Sequence, residues 1–184
     1  MSDLLILIPF VGLIVRNVMP RNARVLPAVL WIAIFGFQTV VAALQPFGVI
    51  DWSFMAPLSK LIGFSLAADN LSLLLLASVG IAGMAAVLVG HATLKSPRTR
   101  FTFGNLLMIS LLGINGIAMV RDLFTLYVFV EVTSVAAFIL VTLREGPGAF
   151  EGACKYHILS SVASVFMLAS SAFFLLGAGG VTFD

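Results

Sequence analysis

Apolar residues run along the chain in six long stretches, separated by short clusters of polar and charged residues. Each stretch is roughly 20 residues long, which is enough to cross about 30 Å of hydrocarbon as an α-helix. The pattern predicts an all-α membrane protein with a single transmembrane domain over residues 1–184. The six predicted helices cover residues 4–19, 25–44, 66–94, 101–120, 123–143 and 150–177.

The composition supports a membrane protein, because 61% of the residues are hydrophobic and only 10% are charged. A soluble domain would carry about a quarter charged residues. The first stretch is the least regular, since Pro9 and Arg16 interrupt it. A signal peptide would open with basic residues, whereas this chain opens with Ser2 and Asp3, so we expect a retained helix.

The lysines and arginines divide unequally between the two sides of the predicted bundle. The poor side holds only Lys60 and Arg121. The rich side holds Arg16, Arg21, Arg24, Lys95, Arg98, Arg100 and Arg144, with Lys155 just inside the sixth helix. Because cytoplasmic loops carry the excess of basic residues, we expect the amino terminus outside, and the loops 16–24, 95–100 and 144–149 in the cytoplasm. The expected location is the inner (cytoplasmic) membrane.

Sequence motifs for soluble-type catalysis are absent. The single cysteine, Cys154, rules out an internal disulfide, and His91 and His157 lie on different predicted helices. No HExxH, GxGxxG, P-loop or GxSxG pattern occurs. We therefore expect no cofactor and no metal in this chain, and no catalytic centre. A net charge of +2 without a dense basic cluster predicts no nucleic-acid partner.

A glutamate, Glu131, interrupts the apolar run LYVFVEVTSVAAF of the fifth predicted helix. It would lie roughly 12 Å from the outer end of that helix and roughly 18 Å from the inner end. A carboxylate at that depth costs at least a few kcal/mol, and such residues usually belong to an ion or proton path. The alternative is a protonated glutamate that hydrogen-bonds a neighbouring helix.

Several polar residues are candidates to support such a path. Tyr127 and Ser134 share the helix face of Glu131, and Asn115 and Asp122 lie on or beside the neighbouring helices. Lys155 either reaches back to the membrane boundary or faces Glu131 through water.

On the sixth helix, His157 stands about 200° around from Lys155, so both cannot point at Glu131. Ser161, Ser164 and Ser171 continue the stripe from His157, either lining a hydrated route or packing closely, and packing is favoured. The candidate proton path therefore consists of Glu131, Lys155 and His157, with Tyr127, Ser134, Asn115, Asp122 and Ser161 in support.

Three stretches resemble a known family. MVRDLFTLYVFVEVTSVAAFILVTL and FEGACKYHILSSVASVFMLASSAFFLLGAGGVTF look like the fifth and sixth helices of the antiporter-like subunits, and FSLAADNLSLLLLASVGIAG resembles the start of their third helix. The family comprises proton-pumping subunits of NADH-quinone oxidoreductase, subunits of Mrp-type cation/proton antiporters, and subunits of membrane-bound, energy-converting hydrogenases. The resemblance covers residues 66–184, whereas residues 1–65 match mainly in hydropathy.

The resemblance implies a proton channel unit in which the glutamate matching Glu131 modulates a lysine on the seventh helix. Lys155 matches a lysine that many members carry on the sixth helix, and Asp69, Arg121 and Asp122 match positions near the surface. Full members have about fourteen helices, so this chain corresponds to the first part of the fold. The implied partners are lipids, protons or sodium ions, and other membrane subunits, including one that supplies the missing helices if the subunit is split rather than truncated.

Three hypotheses for function follow. As a transport subunit, the chain contributes part of a proton path within an antiporter or a redox-driven complex. As a scaffold, it packs helices and lipids without translocation of its own. As an autonomous carrier, it would bind a substrate at a broken helix near the midplane, but few clear breaks interrupt its helices.

Overall fold

Six α-helices make up the fold of the described residues. The computed structural model describes residues 2–19, 25–47, 66–144 and 146–178. A short 3-10 turn, Gln45–Phe47, extends the second helix. The helices are α1 Ser2–Val18, α2 Val25–Leu44, α3 Asn70–Thr93, α4 Pro97–Met119, α5 Leu123–Thr142 and α6 Pro147–Ala178.

The start of α3 is set by a cap, not by hydropathy. Asp69 accepts a hydrogen bond of 2.7 Å from the backbone N–H of Ser72, and α3 therefore begins at Asn70 and not at residue 66. The apolar residues before the cap are extended, and Leu66 pairs with Val120 in an antiparallel bridge. This bridge joins the start of α3 to the end of α4.

Two helices begin at a proline, and each begins earlier than the hydropathy pattern predicts. Pro97 occupies the first turn of α4, and Pro147 opens α6, where the predicted starts are residues 101 and 150. Proline suits the first turn because its missing N–H would have no partner there. The polar first turns are thus helical although they add nothing to an apolar stretch.

The helices pack in a chain of neighbours. α2 lies against α3, α4 against α1 and α3, α5 against α4, and α6 against α5. Two apolar clusters form the core of the first five helices. One cluster contains Leu5, Ile6, Val41, Ala42, Leu76, Met119 and Phe129, and the other contains Ala28, Trp31, Ile34, Phe35, Val87, Met108 and Leu111.

Glycines leave room for aromatic rings from neighbouring helices. A Cβ added at Gly83 of α3 would lie 1.9 Å from a ring carbon of Phe35 on α2. A Cβ added at Gly116 of α4 would lie 2.3 Å from the ring of Phe129 on α5. Both rings therefore occupy the space that any larger side chain would need, as expected of helix contacts that rely on small residues.

The all-helical membrane fold that the sequence predicts is confirmed for the described residues. Five helices, α2 to α6, are long and apolar enough to cross a membrane, and α1 is a shorter apolar helix. Arg16 lies in the last turn of α1 and is only 2% exposed, at the position where the predicted helix 4–19 and the predicted loop 16–24 overlap. Arg21, Arg24, Lys60 and the end at Asp184 lie outside the described residues.

Candidate functional site

Glu131 lies near the middle of α5 and contacts α6. Its side chain is half-buried, and its Oε2 accepts a hydrogen bond of 2.5 Å from the hydroxyl of Ser164. Ser164 is buried, with 6% of its surface exposed. The carboxylate is roughly 12 Å from the start of α5 and roughly 17 Å from its end. A carboxylate at mid-membrane depth therefore has a defined hydroxyl partner on the next helix.

The register of α5 against α6 follows from three pairs of neighbours. Seven residues after Glu131, Phe138 packs against the tilted ring of His157, with the ring centroids 4.5 Å apart, and His157 is seven residues before Ser164. Seven residues before Glu131, Phe124 lines one cavity together with Ser171, seven residues after Ser164. The two helices are therefore antiparallel, and side chains repeat across them every two turns.

This register places Ser134 across from Ser161. Ser134 comes three residues after Glu131, and Ser161 comes three residues before Ser164. Both are half-buried. The seam between α5 and α6 therefore carries a polar set at successive depths, which we call the α5–α6 polar seam: Glu131, Ser134, His157, Ser161 and Ser164.

Two of the other candidates flank this seam. Tyr127 lies one turn before Glu131, half-buried, with its ring centroid 6.4 Å from that of Phe124. Asp122 caps α5, because its carboxylate accepts a hydrogen bond of 2.7 Å from the backbone N–H of Thr125. Asp122 therefore has a local structural task at the end of the helix.

The structure does not bring Lys155 to Glu131. Lys155 precedes Ser164 by nine residues, which is two and a half turns, so it points away from α5. Its side chain is 70% exposed, and its ammonium pairs with Glu151 at 2.5 Å. Glu151 is one turn earlier on the same helix, so the pair forms within α6.

Asn115 belongs to a different polar group from Glu131. Its Nδ2 donates to the carbonyl oxygen of Leu5 at 2.7 Å and to Oε1 of Gln38 at 2.8 Å. Gln38 in turn donates to Oδ1 of Asn115 and to the carbonyl oxygen of Leu76, both at 3.0 Å. These bonds join α1, α2, α3 and α4, and Asn115 has no exposed surface. We call Asn115 and Gln38 together the amide centre.

Sequence interpretation misses the roles of two of these residues. Gln38 is the only amide in the apolar α2, and a lone amide in a membrane helix needs an interhelical partner. The sequence favours packing for Ser164, although its place on the His157 stripe is what brings it to Glu131. In both cases the residue type is informative, but the partner on another helix is not visible in the sequence.

Comparison with known proteins finds similarity to membrane subunits of respiratory and antiporter complexes. Residues 120–184 match the family model described as NADH:quinone oxidoreductase/Mrp antiporter, TM. These residues contain α5, α6 and the whole polar seam.

Two curated relatives illustrate the similarity. A Na(+)/H(+) antiporter subunit of Alkalihalophilus pseudofirmus is 28% identical over 111 residues, covering 60% of this chain and 22% of that protein. An NADH-quinone oxidoreductase subunit of Deinococcus radiodurans is 34% identical over 117 residues, covering 63% of this chain and 24% of that protein. The chain thus spans about a quarter of the length of these relatives.

Two solved structures share the fold along nearly the whole chain. One is a chain of the membrane-bound sulfane sulfur reductase, an archaeal respiratory membrane complex, with a TM-score of 0.80, 21% identity, and coverage of 98% of this chain and 38% of that one. The other is a chain of respiratory complex I from Thermus thermophilus, with a TM-score of 0.76, 21% identity, and coverage of 99% and 38%. The resemblance in the sequence is confirmed, and the chain is a relative of the antiporter-like membrane subunits.

Proposed function

We propose that this chain forms part of a proton- or sodium-translocating complex in the cytoplasmic membrane, and that Glu131 lies on its proton path. The family match and the fold support a membrane subunit of the complex I or Mrp antiporter type. Lys and Arg in the described loops support an orientation with residues 94–96 and 143–144 in the cytoplasm, the amino terminus outside and six spans.

The half-buried carboxylate of Glu131 is the observation that carries this proposal. An ionisable group in the middle of a membrane helix is costly unless it faces protein interior or water. Among the described residues, its hydrogen bond comes from Ser164, whereas a carboxylate has about four lone-pair positions. The remaining positions are available for water molecules or for a further helix, which is what a group that exchanges protons requires.

The α5–α6 polar seam provides a route from Glu131 towards the end of the bundle that holds Arg144. Serine hydroxyls both donate and accept hydrogen bonds, so Ser134 and Ser161 can order water between Glu131 and His157. His157 then lies about 10 Å further along, and the two nitrogens of its imidazole can continue a chain of hydrogen bonds there. Tyr127 extends the same face towards the opposite end of α5.

Lys155 is proposed to face neighbouring helices and not Glu131. It faces away from α5, so its ammonium does not modulate Glu131 directly in this arrangement. In the longer relatives further helices complete the fold, and Lys155 lies on the side of α6 that they are proposed to cover. Other membrane subunits and lipids are the proposed partners of that side, because Phe166, Phe173 and Leu176 leave it apolar and exposed.

A scaffold function is the second candidate. The amide centre supports it, because four helices are tied together by polar groups that satisfy one another. In that case Glu131 and Ser164 would only join α5 to α6, and replacing the carboxylate by an amide would leave ion movement unchanged.

Ion translocation by the purified native assembly in proteoliposomes separates the two candidates. We expect Glu131→Gln to abolish proton-coupled transport while the complex still assembles, because glutamine keeps the shape and hydrogen bonding but carries no titratable proton. Glu151→Gln is the matched control, since it removes an exposed carboxylate from α6. Unchanged transport in Glu131→Gln would refute the path and leave the scaffold.

A further inference from the structure

Four helix ends meet around a small cavity at the end of the bundle that carries the basic loops. The cavity measures about 20 Å³, and its lining includes Arg16, Trp31, His91 and Arg100, one residue from each of α1 to α4. Arg16 and His91 lie in the last turns of α1 and α3, and Arg100 lies in the first turn of α4. The cavity is therefore at the depth where the membrane-spanning helices end.

Arg16 packs against two aromatic rings beside this cavity. Its guanidinium carbon lies 4.5 Å from the ring centroid of Phe101 and 5.9 Å from that of Trp31, so aromatic rings hold the cation. The contacts with ring faces leave the in-plane N–H groups free to bond. Nε and Nη1 of Arg16 are buried and have no hydrogen-bond partner among the described residues.

Three further buried donors of the lining also lack a partner within the described ranges: Nε and Nη1 of Arg100, and Nε1 of Trp31. Arg100 uses Nη2 for a 3.2 Å bond to the carbonyl oxygen of Lys95, which fixes the guanidinium against the start of α4. In the part of the chain that the structure describes, no aspartate or glutamate lines the cavity. The described lining thus presents donors and two positive charges without a carboxylate to balance them.

We propose that this cavity binds the phosphate group of a membrane phospholipid. A phosphate oxygen accepts from Arg16, Arg100 and Trp31, and the single negative charge of the phosphodiester offsets one of the two guanidinium charges. The start of α4 at the cavity adds its positive dipole end. Water alone would satisfy some N–H groups, but it would leave the buried Arg16 and the partly exposed Arg100 without a counter-ion.

The size and depth of the cavity favour a lipid as the source of the phosphate. A space of about 20 Å³ holds little more than one water-sized group, so it admits one phosphate oxygen while the rest of the headgroup stays outside. Phospholipid phosphates lie at the membrane boundary, which is where these helix ends are. A bound lipid would join the ends of four helices independently of the α5–α6 polar seam.

Binding of soluble short-chain lipid to the purified, delipidated native assembly tests this site. The three probes are dioctanoyl phosphatidylglycerol, dioctanoylglycerol, which has the same chains without phosphate, and inorganic phosphate. We expect Arg100→Gln and Arg16→Gln each to weaken binding of the phospholipid roughly tenfold or more at this site, because a charge-assisted hydrogen bond is lost. Arg98→Gln, an exposed arginine two residues before Arg100, should change the affinity by less than about twofold.

Each alternative occupant gives a different result. Inorganic phosphate binding as tightly as the phospholipid, with the same dependence on Arg100, would show a free-anion site and overturn the lipid assignment. A carboxylate from a neighbouring subunit would make the arginine variants weaken subunit association and leave lipid affinity unchanged, which also overturns it. If Arg16→Gln fails to fold, the partly exposed Arg100 still decides the outcome.

Discussion

The amide centre and the α5–α6 polar seam are both polar groups in the middle of apolar helices, yet they differ in how they are satisfied. Asn115 has no exposed surface, and its amide and that of Gln38 bond each other and two backbone carbonyls. Glu131 is half-buried and receives one hydrogen bond from Ser164 within the described part of the chain.

The difference indicates what each group does. Neutral amides with a closed set of partners hold helices in register and have no reason to exchange protons or water. An ionisable group with open acceptor positions contributes little to holding helices together, but it can exchange protons with water. Depth in the membrane alone therefore does not identify a functional polar residue, whereas the number of its partners and its exposure do.

The largest effect on stability is expected at the amide centre. Asn115→Ala removes the hydrogen bonds to Leu5 and Gln38, and should lower the free energy of unfolding by about 3 kcal/mol, since buried polar groups lose their partners. Thermal unfolding of the purified assembly measures this. Asn105→Ala is the matched control on α4, because Oδ1 of Asn105 has no partner among the described residues. Equal losses in both variants would refute the role of the amide centre.

A smaller loss of stability is expected where α4 and α5 pack between the amide centre and the α5–α6 polar seam. Gly116→Ala would force the Phe129 ring away from α4, and overpacking of this kind costs about 2 kcal/mol. Phe129 is two residues before Glu131, so transport should fall together with stability. Gly152→Ala on α6 is the control, since an added Cβ there meets nothing within 4 Å. Wild-type unfolding and transport in Gly116→Ala would show that this contact is adaptable.

Ser164→Ala should affect transport more than stability. Stability should fall by less than about 1 kcal/mol, because Glu131 can bond water instead, while the transport rate should fall several-fold. Ser170→Ala provides an exposed serine of the same helix for comparison. Transport and unfolding are measured on the same preparations. A variant with wild-type transport would remove Ser164 from the path.

The smallest effect concerns a carboxylate outside the spans. The backbone N–H and the hydroxyl of Ser72 lower the pKa of Asp69, with a further contribution from Arg121. The stabilisation that Asp69 provides is therefore present above the pKa of an unfolded aspartate, about 4. It is lost as the pH falls through the lower pKa that Asp69 has in the folded protein. Wild type should lose stability relative to Asp69→Ala only below about pH 4. A difference that persists unchanged to lower pH would contradict the capping role.

Much of the fold is predictable from hydropathy, because a membrane helix must be apolar for about 20 residues. The bounds of α2, residues 25–44, agree with the pattern for this reason. The starts of α3 and α6 do not, since Asp69 and Pro147 set them through local geometry. Hydropathy responds to burial in lipid, whereas caps depend on single hydrogen bonds and fixed backbone angles.

The candidate site is predictable only in part. Glu131 stands out because one carboxylate in an apolar run is rare. Its contact with Ser164 depends on the register between α5 and α6, which no periodicity within one helix reveals. Lys155 is a candidate by its depth, but its i–4 partner Glu151 holds it on the opposite side of α6. The sequence places Arg16 only at the boundary between a helix and a basic loop, and its burial depends on a contact with the ring of Phe101 on α4 that the sequence does not show.

Water access to the α5–α6 polar seam is the most direct test of the account. The chain has one cysteine, so Ser134→Cys and Ser110→Cys can be compared in a Cys154→Ser background. Both serines are half-buried within helices, but Ser110 faces an apolar cavity lined by Phe35 and Leu107.

The rate of modification by a charged, water-soluble methanethiosulfonate is measured in the native assembly. We predict a rate at least about tenfold higher at position 134, because the thiolate that reacts forms only in water. Equal rates, or no reaction at position 134, would contradict a hydrated path beside Glu131.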